Sequence, residues 1–178
     1  MKHFQLILLI TFIVSCQSPR ESKTENFTPV NSEKATGEIN TVLDNWHKAA
    51  ADAEFNTYFD FMTTDGIFVG TDSRENWGIE EFKKFAKPYF DRGTAWNFST
   101  LERNIYPSDQ AEIAWFDELL ETWMGICRGS GVMVKVDGEW KIKHYVLSVT
   151  IPNANINEIV KINREIDSSL IHKLRNPQ

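Results

Sequence analysis

The chain has 178 residues, of which 42% are hydrophobic, 25% charged and 12% aromatic, with 9 Gly and 6 Pro. That is one domain of ordinary size with or without an appendage, and it excludes collagen-like, low-complexity and wholly disordered chains. The formal net charge of −6 leaves no basic face for phosphates, so nucleic acid is not an expected partner.

The first residues read as an address. Met1–Lys2–His3 is a short positive start, and Phe4 to Val14 is an apolar run broken only by Gln5 and Thr11. It is about half the ~20 residues a membrane-spanning helix needs, which fits a secretory signal. Ile13–Val14–Ser15–Cys16 resembles the bacterial lipobox. The resemblance implies cleavage after residue 15 and a lipid on Cys16, against an ordinary signal that happens to hold a cysteine. Gln17 is not the Asp that argues for inner-membrane retention, so the expected place is the cell envelope, at the outer membrane or cell surface. Residues 16–35 then read as a lipidated cysteine and polar tether. Cys127 is left without a partner.

The folded part is expected over residues 36–152. Ile39, Val42, Leu43, Trp46 and Ala50 recur at helical spacing over 37–52, with Thr36 as N-cap. Phe55, Tyr58, Phe59 and Met62 mark a short second helix, stopped by Thr63–Thr64–Asp65–Gly66. Ile67–Phe68–Val69 reads as a strand and Asp72 to Gly78 as a loop. Ile79, Phe82, Phe85, Ala86 and Phe90 give a third helix with Pro88 inside it, predicting a kink or a loosened last turn. Strands are expected at 95–106, 111–124, 126–136 and 140–151, with a hairpin turn at Asp137–Gly138. Arg128–Gly129–Ser130–Gly131 reads as a bulge or bend in the sheet. After Pro152, residues 153–178 form an amphipathic helix whose apolar face is expected to dock on the domain.

Several stretches carry a family resemblance. They are Thr64–Asp65–Gly66–Ile67–Phe68–Val69–Gly70–Thr71–Asp72, then Glu81–Phe82 into Lys87–Pro88–Tyr89–Phe90, then Ala114–Trp115–Phe116–Asp117–Glu118, and Gly131 through Asp137–Gly138–Glu139–Trp140–Lys141–Ile142. In this order, over roughly 37–152, they resemble the SnoaL-like branch of the nuclear transport factor 2-like superfamily. The resemblance implies an α+β cone-shaped roll. Three N-terminal helices pack on the concave face of a curved, mostly antiparallel sheet, and a C-terminal helix follows. It implies an apolar pocket between them and often a homodimer through the other sheet face, but no single function.

Strand parity supplies the candidate chemistry. His144 shares parity with Trp140, Ile142 and Val146, so it is expected to face inward, as a proton-transfer group or as a core histidine. Asp117 shares a face with Trp115, Leu119 and Trp123, where burial among rings would suit proton transfer; Glu118 shares the other face with Phe116 and Leu120. Either acid could instead pair with Arg128 or Arg103. Arg128 shares parity with Val132 and Val134 and is read as an inward anchor for a ligand carboxylate or as a sheet-edge residue. Trp46, Tyr58, Phe68, Trp77, Phe82 and Trp123 are the expected pocket rings; Asp72, Arg74 and Trp77 belong near its mouth. No H-x-H, H-E-x-x-H or C-x-x-C occurs, so neither metal nor cofactor is expected.

Three readings stay open: a membrane-tethered binder of a small apolar or aromatic molecule, an isomerase, dehydratase or cyclase using Asp117 or His144, and a homodimeric interaction module without chemistry.

Overall fold

The computed structural model describes residues 32–177. The leader, Cys16 and the tether up to residue 31 lie outside the described residues. Four α-helices and six strands run in the order α1 (Ser32–Ala51), α2 (Phe55–Asp60), β1 (Met62–Val69), β2 (Asn76–Gly78), α3 (Ile79–Asp91), β3 (Ser99–Pro107), β4 (Ile113–Thr122), β5 (Gly125–Val136), β6 (Glu139–Val149) and α4 (Ile156–Arg175). The expected α+β architecture is present: α1–α3 cover one face of a single sheet, and α4 follows it.

The sheet order is β2-β1-β6-β5-β4-β3. β3 to β6 form an antiparallel meander, and β1 returns parallel to β6. The turn between β5 and β6 has positive φ at both Asp137 (53°) and Gly138 (86°), the requirement of a two-residue hairpin turn matched to strand twist. Trp46, Tyr58, Phe82, Ile39, Leu43 and Leu120 fill the space between helices and sheet and are almost fully buried.

Four local expectations change. α1 begins at Ser32, so the last four residues of the expected tether are helical and Thr36 lies inside the helix; Ala35 is already buried one turn before Ile39. β1 begins at Met62, read as the end of the second helix, and takes in the Thr63–Gly66 stretch read as a helix stop: Met62 pairs with Ile142 of β6, and the ladder resumes at Ile67 opposite His144 after a register shift. Asn76–Gly78 is a short strand on β1 rather than loop. Trp123 leaves the sheet and sits in the tight connection between β4 and β5, where Gly125 adopts φ 89°.

The sheet also bends at a different place. Pairing of β5 with β4 is unbroken through Gly129 and Gly131. The register shift lies in β6, where Met133 pairs with Ile142 but Val132 pairs with His144, leaving Lys143 as the extra residue. A bulge of this kind inverts side-chain parity beyond it. Trp140 and Ile142 face the core before the bulge, and Tyr145 and Leu147 face it afterwards.

The C-terminal helix does not dock. None of the α4 residues is buried, and Val160, Ile162, Ile166 and Leu174 are each more than half exposed.

Candidate functional site

Glu118 sits on the inward face of β4 with Ala114, Phe116 and Leu120, and it is fully buried. A carboxylate taken out of water must be paired and hydrogen-bonded. Here its Oε1 accepts from His47 Nε2 at 2.9 Å and from the Tyr145 hydroxyl at 3.0 Å. Its Oε2 accepts from Arg103 Nε at 2.9 Å. Arg103 is itself held by Asn40, by Asp44 at 2.8 Å and by Thr100. Burial pushes the Glu118 carboxyl up, but the hydrogen bond and charge of His47 and the charge of Arg103 outweigh it and hold the group below its ordinary value. Glu118 is therefore ionised. The Tyr145 phenol moves the opposite way, raised first by burial and then by the Glu118 charge.

The chain makes room for this cluster. A Cβ on Gly129 would land on the Tyr145 hydroxyl, and one on Gly131 would strike the Phe116 ring. The glycine pair read as a bend is thus a clearance under the Tyr145 and Phe116 rings.

Beside the cluster lies a cavity of about 230 Å³. Eleven of its seventeen lining residues are aromatic, half of the chain's Trp, Tyr and Phe side chains. Many rings are nearly parallel: Trp77 and Phe82 at 9°, Phe68 and Phe82 at 16°, Phe82 and Trp96 at 20°. Tyr145, Trp46 and Tyr58 lie at its buried end, whereas Trp123, Phe85 and Tyr89 are exposed and mark its mouth. The lining includes Glu75 and His47 but no lysine or arginine. Glu118 accepts and cannot donate, so the His47 proton sits on Nε2. In the neutral form of the ring Nδ1 is then the acceptor; the hydrogen bond His47 makes among the described residues is through Nε2.

Of the sequence-read pocket residues, Trp46, Tyr58, Phe68, Trp77, Phe82 and Trp123 all line this cavity. Three other candidates stand elsewhere. Asp117 is on the outer sheet face, 3.4 Å from Asn104 Nδ2, because Glu118 takes the inward position. His144 is turned outward by the Lys143 bulge and only half buried, and Tyr145 takes the place its parity assigned to it. Arg128 is exposed on the outer face, since its parity partners Val132 and Val134 face outward too. Asp72 and Arg74 form an exposed pair at 2.9 Å that holds the Asp72 carboxyl at about 2, and only Trp77 of that loop's three named residues reaches the cavity.

His47 and Tyr145 went unread in the sequence. His47 extends the series Ile39, Leu43 at four-residue spacing on α1, so its inward position was readable from the helical repeat.

A second cleft, about 610 Å³, lies between α2, β1 and the β5–β6 hairpin. It is larger, but its lysines are already paired: Lys83 with Glu80, Lys141 with Glu139, Lys143 with Asp65. It holds none of the Glu118 cluster. Among the described residues no group of three or more His, Cys, Asp or Glu is placed to hold a metal ion, and no helix is long and apolar enough to cross a membrane.

A family model for the SnoaL-like domain matches residues 39–152. Solved structures agree on the fold. An NTF2-like protein of unknown function from Pseudomonas putida KT2440 is 13% identical, with TM-score 0.58 over 68% of this chain and 90% of its own. A protein assigned as a scytalone dehydratase from Novosphingobium aromaticivorans is 15% identical, with TM-score 0.56 over 67% and 87%. The association domain of C. elegans CaMKII is 22% identical, with TM-score 0.54 over 66% and 98%. A search of the curated proteins gave no match.

Proposed function

The chain belongs to the SnoaL-like domain family, and on that premise we propose that its cone cavity binds a small planar molecule, aromatic and either uncharged or cationic. The observation that carries this reading is the cavity wall: eleven rings, many of them parallel, with one carboxylate, one histidine and no lysine or arginine among the described residues. Parallel rings offer faces against which a flat ligand stacks, each pair contributing about 0.5–1.5 kcal/mol beyond area burial. The absence of lysine and arginine from the lining disfavours an anion. The volume is about half as large again as the ~150 Å³ apolar cavity known to take a benzene, so the ligand is one substituted ring or two fused ones. Isothermal titration with 2-naphthol tests this. Saturable binding is expected in the native chain and none in Leu147→Trp, which fills the cavity; binding unchanged by that filling removes the proposal.

The His47–Glu118 pair favours a second reading, a proton-transferring enzyme of the isomerase or dehydratase kind. The ionised carboxylate fixes His47 through Nε2, so that in the neutral form of the ring Nδ1 can take a proton from a bound ligand. The structural neighbour assigned as a scytalone dehydratase is consistent with chemistry in this fold, by analogy alone. A neutral bicyclic ketone, 2-tetralone, offers an acidic C–H. In D₂O the native chain should accelerate exchange of its α-protons and His47→Gln should not; equal rates in both leave the cavity a binding site only.

Two further elements remain part of the proposal. The lipobox-like Ile13–Val14–Ser15–Cys16 supports a lipid tether to the cell envelope, so Cys16→Ala should move the protein from the membrane fraction to the soluble one. Retention at the membrane contradicts the tether. The outer sheet face, with Trp115 and Tyr106 about half exposed and stacked at 19°, supports self-association there, the interaction module's mode.

A further inference from the structure

Helix α4 lies beyond the family match, which ends at residue 152. It has 20 residues and buries none of them. A helix of this length gains most of its stability from packing an apolar face, and α4 carries one without a partner among the described residues. At 100° per residue, Ile156, Ile159, Val160, Leu170, Ile171 and Leu174 fall on a single stripe. Asn163 and Asp167 lie in the middle of that stripe, one turn apart. The face therefore reads apolar, polar, apolar.

We propose that this face pairs with α4 of a second copy of the chain, the two helices antiparallel and centred near residue 165. The charge pattern selects the partner and the direction. A lipid surface would have to take up the Asp167 charge in the centre of the buried face. A parallel pair sets Asp167 against Asp167. The antiparallel pair sets Asp167 of each copy opposite Asn163 of the other, with Arg164 on the same flank, so both carboxylates meet donors. At the same register Ile156 meets Leu174, Ile159 meets Leu170, and Val160 meets Ile171. The contact is isologous, each residue pairing twice about the two-fold axis. The polar pair fixes register, as buried polar residues do in coiled coils.

Cysteine cross-linking in cells producing the full chain tests the geometry. Two differently tagged copies are made together, one carrying Ile156→Cys and the other Leu174→Cys, with the unaltered chain as background for Cys16 and Cys127. The two positions are about 27 Å apart along one helix. Mild oxidation should give the mixed dimer at least about tenfold more readily than either same-site dimer, and Asp167→Lys should abolish it. Same-site dimers in excess of mixed ones overturn the antiparallel arrangement. No cross-link above background overturns the pairing itself.

Discussion

Glu118 organises the site, because one buried carboxylate fixes three side chains from three elements: His47 on α1, Arg103 on β3 and Tyr145 on β6. Breaking such a cluster at one partner leaves an uncompensated buried charge, so Arg103→Met should cost about 3–5 kcal/mol. The pH dependence has a definite sign. The folded Glu118 carboxyl lies below its ordinary value of 4.5. Its stabilisation is present above that value and is lost as pH falls through the lowered folded one. Urea denaturation should therefore show native and Glu118→Gln chains differing most near neutral pH, with the gap closing below pH about 4.5. A gap that widens on acidification contradicts the assignment. The sequence points to within one residue of this group, with Asp117 and Glu118 as neighbouring candidate acids and Arg103 as a candidate partner. Strand parity puts adjacent residues on opposite faces but does not say which face is concave, and that choice is made by the helices covering the sheet.

The elements explain the remaining displacement. Strict alternation along 140–149 points His144 inward, and a single extra residue, Lys143, reverses the pattern for everything after it. No local sequence feature marks that bulge, since it arises from pairing with β5 and β1 together. The glycines were legible as special and misread in kind. Gly129 leaves space for Tyr145, so Gly129→Ala should lose about 1–3 kcal/mol through overpacking and sever the Tyr145–Glu118 bond. Gly37 provides the comparison: it lies inside α1 with nothing near its added Cβ, and Gly37→Ala should gain about 0.5–1 kcal/mol. Thermal or urea unfolding of the two variants separates clearance from simple glycine flexibility; equal effects would show that Gly129 has no packing role. The α4 periodicity was readable, but its partner was not, because an amphipathic stripe reports that a surface is covered and not by what.

At the scale of the molecule, the ring content has a location. Half of the aromatic side chains line one cavity of about 230 Å³, and the sheet's outer face carries others, Trp115 and Tyr106 among them. Fold and pocket rings were legible because period and composition survive without knowledge of tertiary pairing. The charge at the pocket's edge was not, because it is assembled from α1, β3, β4 and β6, which are distant in sequence. The central claim is that this cavity takes a flat ligand that is not an anion. Its most direct measurement is a calorimetric comparison of 2-naphthol with 2-naphthoate, similar in shape but uncharged and anionic respectively at neutral pH. Binding of 2-naphthol at least about tenfold tighter than 2-naphthoate, and lost in Leu147→Trp, is the expected result. Equal or tighter binding of 2-naphthoate, or no binding of either, contradicts it.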